Sequence, residues 1–183
     1  MENKYNFEEL ENNLIDVIKE SQIKIGYTEN PVELYYPCQA LNNLLESNLD
    51  DKQMTDVLKE FSQFTRGKLG QVSSHSDENV FCLKIPAEGV KYVHENVPDS
   101  PFLVEFINFV GSTHNATIED VKAIFRKYSD CVVCEEFTSS DEFDYLLYFE
   151  NEIPDNYRYC ISFDLGHVIY HRFTPADYSQ LGF

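Results

Sequence analysis

At Cys131 the hydrophobic period of this chain changes. Up to Tyr128 apolar residues recur mostly at three- and four-residue intervals, which places them on one face of a helix. From Cys131 onward they alternate, as in strands with one face buried. Helical stretches followed by a run of strands describe an α+β chain, and turn-rich connections between those strands describe an antiparallel sheet.

The early helices are marked at their ends. Asn6 followed by Glu9 is a capping pattern, able to satisfy free N–H groups at a helix start. Phe7, Leu10, Leu14, Val17 and Ile18 then form an apolar stripe, and Gly26 is suited to end it. Tyr35-Tyr36-Pro37 is read as the start of a second helical element, with Pro37 in its first turn and Leu41, Leu44 and Leu45 inward. A third helix is expected from Asp51 to Arg66 on Met54, Val57, Leu58, Phe61 and Phe64. Residues 70–85 read as a hairpin with the polar tip Ser76-Asp77-Glu78-Asn79. Pro86 cannot donate to a sheet, so a helix is expected after it, with Val90, Val93, His94 and Val97 on its stripe. Gly89 in that helix costs about 1 kcal/mol against Ala, which points to close packing. Phe102 to Val110 is apolar nearly all round and is expected to be a buried helix joining the two halves. Thr117 opens a further capped helix. Strands are expected at 131–138, 143–150, 157–164 and 167–173, with a final turn at Thr174-Pro175-Ala176-Asp177.

The order helix, helix, helix, hairpin, helix, with Ile85, Pro86, Glu88 and Gly89 at the hairpin exit, resembles a winged-helix domain over about residues 5–97. The resemblance implies a third helix and a hairpin wing that contact DNA. A first strand between the early helices, usual in that fold, is not evident, although Val32-Glu33-Leu34-Tyr35 is a candidate. Over nearly its whole length the chain is also similar to an uncharacterised family of small acidic bacterial proteins, a domain-of-unknown-function family. Ile25-Gly26-Tyr27, Leu34-Tyr35-Tyr36-Pro37 and Tyr157 through Pro175 carry that similarity, and it implies no activity.

Charge weighs against the DNA reading. The chain has 32 acidic and 14 basic residues and a net charge of -18, spread along its 183 residues. Such a surface repels phosphate backbones and attracts bases. Asp51, Lys52, Asp56, Lys59, Glu60 and Arg66 of the third helix sum to zero, and Asp77 and Glu78 add negative charge at the wing tip. Phosphate contacts supply most of the affinity for DNA and need the opposite sign. Gln53, Thr55, Gln63 and Lys68 remain possible DNA contacts.

Chemistry-bearing patterns are few. Cys131-Val132-Val133-Cys134 matches a zinc or redox spacing, but its β-branched flanks continue as a strand, where residues three apart face opposite ways. His167 and His171 lack the Glu of a zinc-protease helix. On a strand they share a face roughly 13 Å apart, too far to hold one ion together. Asp164-Leu165-Gly166 suits a three-residue loop, setting Ile161 against Ile169, Tyr157 against Phe173 and Tyr159 near His171. A two- or four-residue loop sets Cys160 against His171 instead. From Glu135 to Asp155 the chain carries carboxylates and no Lys or Arg; Arg158 and Arg172 follow. The two arginines, with Tyr159, His167 and His171, make a candidate anion or peptide-carboxylate site. The plainer alternative is that each arginine neutralises acids on the neighbouring strand. Neither a phosphate-binding glycine loop nor a nucleophile elbow occurs.

The expected protein is therefore α+β: a winged-helix-like region over 1–98, then helices and an antiparallel sheet over 99–183, separate or packed as one domain. Five cysteines without framework spacing, and an N-terminus without a secretory pattern, point to a reducing cytoplasm. No window approaches the apolar length of a membrane span. The leading expectation is a binding or interaction protein without catalysis, with no cofactor or metal and with a protein or small anion as partner. A small enzyme or ligand sensor on the C-terminal sheet, and a transcription-linked winged helix, are the alternatives.

Overall fold

A computed structural model describes residues 4–138 and 140–182. The chain divides into two compact units, one ending at Asp99 and the other beginning at Ser100. Helices α1 to α7 and two antiparallel sheets make an α+β architecture.

The first unit opens with α1 (Phe7–Ile25). Asn6 Oδ1 accepts from the Glu9 N–H at 3.2 Å, and Gly26 closes the helix with φ 85°, its N–H reaching Gln22 O. The segment read as the start of a second helix is instead strand β1 (Val32–Pro37), and α2 (Cys38–Leu44) begins only after it. Alternate burial of Val32, Leu34 and Tyr36 explains the strand, and Pro37 stands just outside α2 rather than in its first turn. Helix α3 (Asp51–Phe64) carries a full capping box between Asp50 and Gln53 and runs on into a single 3-10 turn, Thr65–Gly67.

Strands β2 (Ser73–Asp77) and β3 (Val80–Ile85) form the expected hairpin, turning at Glu78 and Asn79 with φ 41° and 69°. β3 lies between the other two strands, in the order β1-β3-β2, with Leu34 opposite Leu83 and Tyr36 opposite Phe81. These inner residues pack with Phe7, Leu10, Leu14, Leu41, Met54 and Phe61 into one core. Pro86 ends β3 and caps α4 (Ala87–Asn96). Val90 and Val93 face that core, whereas His94, expected on the same stripe, is exposed. Gly89 lies against the Leu69 backbone, where a Cβ would stand 2.2 Å from the Leu69 carbonyl oxygen.

The second unit begins with α5 (Pro101–Ser112), capped by the Ser100 hydroxyl, and α6 (Ile118–Arg126), capped reciprocally by Thr117 and Asp120. Helix α5 is buried on one face only. Phe102, Leu103 and Phe106 are inside, Val104, Ile107 and Phe109 are half-buried, and Asn108 is exposed. The four-stranded meander β4-β5-β6-β7 comprises Val132–Glu136, Tyr145–Phe149, Arg158–Asp164 and His167–Phe173. One sheet face packs Leu147, Phe149, Tyr159 and Ile161 with Phe102, Phe106 and Phe125. The other face holds a smaller cluster of Phe143, Leu146 and Cys160, flanked by Phe173 and by Tyr178 of α7 (Pro175–Ser179). Among the described residues, no helix is long and apolar enough to cross a membrane.

Candidate functional site

The β6–β7 hairpin departs from the three-residue loop expected of it. Asp164 pairs with His167, so the turn has two residues, Leu165 and Gly166, at φ 48° and 83°. Two successive positive φ values give a turn whose twist matches that of the flanking strands. Gly166 adopts one readily, and Leu165, 92% exposed, is forced into the other. Gly166 O also accepts from Asn115 N at 2.7 Å.

The turn decides what the candidate residues meet. A three-residue register would set Arg158 opposite Arg172. The observed register sets Arg158 opposite Phe173, Tyr159 opposite Arg172 and Cys160 opposite His171. Side chains directly opposite share a face, and a slip of one residue redistributes them. The five residues are accordingly divided between the two faces of the sheet.

Tyr159 and Arg172 lie on the face that carries the main core. The Arg172 guanidinium lies 3.8 Å from the centre of the Tyr157 ring and 5.7 Å from that of Tyr159. Asp155 stands 3.7 Å from its Nη2, and Asp155 also accepts from the Tyr159 hydroxyl at 2.6 Å and the Tyr157 N–H at 3.1 Å. On this face an arginine already neutralises an acid. Arg158, His167 and His171 lie on the opposite face. Arg158 stacks 4.1 Å over Tyr148 and donates to Asn156 O. His171 packs edge-on to Phe143 and stacks on Phe173. His167 meets His114, with ring centres 4.5 Å apart.

Cys160 and His171 do face one another, but Cys160 is fully buried and burial pushes its thiol up to about 12. The thiolate a nucleophile needs is therefore scarce at neutral pH. Cys131 is exposed just before β4, while Cys134 lies half-buried within it, its thiol also raised by burial. Among the described residues no group of three or more His, Cys, Asp or Glu could hold a metal ion.

A larger opening lies in the first unit, where the starts of α2 and α3 meet the β2–β3 turn. This open cleft of about 650 Å³ is lined by Cys38, Gln39, Asn48, Asp50, Asp51 and Asn79 among others, with Lys52 as its cationic residue. Local hydrogen bonding fixes the lining. Asn42 holds the approach to α3, its amide donating to Leu49 O at 3.0 Å and accepting from Leu49 N at 2.7 Å. Asp50 accepts from Gln53 N at 2.9 Å as the helix cap. The Asn79 side-chain amide nitrogen donates to both Asp51 carboxylate oxygens, at 2.8 and 2.6 Å, and the Asn79 backbone carbonyl accepts from Cys38 N. The Cys38 thiol is pushed up to about 11, first by burial and then by Asp51. The cleft therefore presents carboxylates and amides without a nucleophile, which suits a ligand that donates hydrogen bonds or carries positive charge. No motif marked it, because Gln39, Asp50 and Asn79 come from three separate segments. A separate recess of about 290 Å³ on the outer face of the sheet is lined by Tyr35, His75, Asp77, Glu78, Val80 and Cys82.

Two of the basic residues around α3 are engaged. Lys59 Nζ lies 2.7 Å from Asp56, and Lys68 Nζ lies 2.6 Å from the buried Glu11. Lys52 and Lys59 share one stripe of α3 with Asp56 between them, and Arg66 follows in the 3-10 turn.

The family model described as "Domain of unknown function, E. rectale Gene description (DUF3877)" matches residues 7–182. The chain belongs to that family. The match spans both units, so the acidic cleft and the C-terminal sheet alike lie inside the family's domain. No curated protein and no solved structure matches the chain.

Proposed function

We propose that the chain is a non-enzymatic interaction protein that receives a cationic segment of a partner protein in the cleft between α3 and the β2–β3 turn. One observation carries this reading. At about 650 Å³ the cleft is lined by Asp50, Asp51 and four amide side chains against Lys52. The net charge of -18 supports it, since such a field draws basic partners and speeds encounter. The first unit is read as a winged-helix-like scaffold, supported by the sheet order β1-β3-β2 with α2 and α3 between the first two strands. The reading includes a reducing cytoplasm, supported by five cysteines without a disulfide.

The test is fluorescence anisotropy of labelled oligo-arginine and oligo-glutamate peptides at low salt. The expected result is binding of the basic peptide alone, weakening with salt and lost in Asp51→Asn. Equal binding by wild type and Asp51→Asn would remove the cleft from the interaction.

The element order of the first unit, with sheet order β1-β3-β2, favours a second reading, a transcription-linked winged helix on DNA. A mobility shift over random duplex at low salt tests it, and no shift at micromolar protein ends it. An anion pocket on the C-terminal sheet draws less support, because Arg158 and Arg172 face opposite ways and Arg172 already meets Asp155.

A further inference from the structure

His167 has no metal-sharing partner along its own strand, where His171 lies roughly 13 Å away. The fold supplies one from elsewhere. His114, in the loop between α5 and α6, brings its ring centre to 4.5 Å from that of His167 at the start of β7, edge to face at 70°. Both imidazoles are exposed, and neither has a hydrogen bond among the described residues. Their ring nitrogens are therefore unmet by protein and open to an occupant. The backbone holds the pair in place. Asn115, next to His114, donates its N–H to the oxygen of Gly166, next to His167, at 2.7 Å. A Cβ on Gly166 would stand 2.7 Å from Asn115 Oδ1, so the loop is seated directly on the turn. Asn115 and Leu165 are held at φ 55° and 48°. Non-glycine residues persist at such angles only where their surroundings over-determine them.

Geometry and donor type name the ligand. An ion about 2.0–2.1 Å from one nitrogen of each ring sets the ring centres roughly 4.5–5.2 Å apart. The observed separation falls at the close end of that range. The edge-to-face contact leaves one adjustment, a rotation about the broad terminal torsion of either ring, which no hydrogen bond opposes. Imidazole nitrogens suit zinc, nickel and copper, whereas magnesium and calcium take oxygen. Asp164 lies directly opposite His167 across the turn, on the same face, where a carboxylate can accept the second ring N–H of a metal-bound histidine. The net charge of -18 draws cations to the surface. Among the described residues no third side-chain donor joins the pair, so water completes the coordination shell.

We propose that His114 and His167 together bind one divalent transition-metal ion of the zinc class. The ion clamps the α5–α6 loop to the β6–β7 hairpin through one nitrogen of each ring. The site is independent of the acidic cleft and of any basic partner.

The test uses the full chain, freed of metal with EDTA, and NMR of its five imidazoles. Zinc chloride is titrated, with magnesium chloride as the oxygen-seeking control. Saturable shifts with a stoichiometry of one are expected at the His114 and His167 rings, with none at His75, His94 or His171 and none anywhere with magnesium. His114→Asn and His167→Asn, both at exposed positions, are each expected to weaken zinc binding about tenfold or more while far-UV circular dichroism is unchanged. His171→Asn and Cys131→Ser are expected to leave it as in wild type. Zinc should also raise the melting temperature of the wild-type chain and of His171→Asn, but not that of His114→Asn, because only a site present in the folded state stabilises it. Absence of saturable ring shifts up to millimolar zinc, shifts at only one of the two rings, or undiminished binding in either folded Asn variant overturns the proposal.

Discussion

Replacing Gly89 by Ala should destabilise this protein, although the same change in most helices does the opposite. Gly89 lies in α4, where Ala would gain about 1 kcal/mol from helix propensity. A Cβ there would stand 2.2 Å from the Leu69 oxygen, 2.7 Å from its carbonyl carbon and 2.9 Å from Ile85 Cγ2. Carbon–oxygen contacts rest at about 3.3–3.6 Å, so the Leu69 peptide or the helix must retreat by roughly 1 Å. Neither moves freely. Leu69 is fully buried, and its N–H is bonded to Thr65 O. Overpacking a core costs about 1–3 kcal/mol, and a rigid backbone obstacle takes the upper end. The net loss is about 2 kcal/mol. With a urea dependence of about 1–3 kcal/mol per molar, the unfolding midpoint should fall by roughly 1 M. Gly67→Ala is the control, since nothing lies within 4 Å of its Cβ position and its midpoint should hold. A Gly89→Ala midpoint at or above wild type would refute the reasoning.

Thr117→Ala should cost about 1 kcal/mol by removing the cap of α6, read by thermal unfolding. Hydrogen bonds from the Thr117 N–H and hydroxyl hold the Asp120 carboxyl below its ordinary value. Its contribution is therefore present above the ordinary carboxylate range and lost as pH falls through the lowered value, so an Asp120→Asn difference in melting temperature should vanish in acid. Lys68→Ala should cost about 1–3 kcal/mol in urea unfolding, because Glu11, 2% exposed, would keep a buried carboxylate without its partner; Lys68→Met with Glu11→Leu should recover most of the loss. Glu11 also raises the Lys68 ammonium above its ordinary value, so the stability linked to the Lys68 proton fades as pH climbs from that ordinary value through the raised one. In thiol labelling of the native chain at neutral pH, exposed Cys131 should react first and Cys160 stay protected; a fast Cys160 would contradict its burial and a thiol near 12.

Local signals made much of the fold legible. Asn6 and Thr117 marked helix starts, since a cap is chemistry between residues three apart, whereas the Asp50 cap of α3 emerged only in the structure. The C-terminal strands followed from period two, and Pro86 with Gly89 foretold a hairpin exit pressed against a helix. Strand β1 was harder. Tyr35-Tyr36-Pro37 fits the end of a strand as well as the start of a helix, and its partner β3 lies more than forty residues on, so pairing outweighed the local proline signal. The C-terminal candidate site failed to assemble for a different reason. Gly166 was visible as a turn residue, but a Leu165 with positive φ leaves no mark in composition, and the choice between two and three turn residues moved Arg158 away from Arg172. The clefts of the first unit were invisible because segments distant in sequence build them.

The tight β6–β7 turn acts as a parity switch. One residue inserted beside Leu165 with β6 held in place would roll β7 over. Val168 and Arg172, now turned inward, would trade sides with His167 and His171. The Asp155 carboxylate would then lose its counter-ion. A hairpin so dependent on its length should accept substitution at its tip far more readily than insertion or deletion.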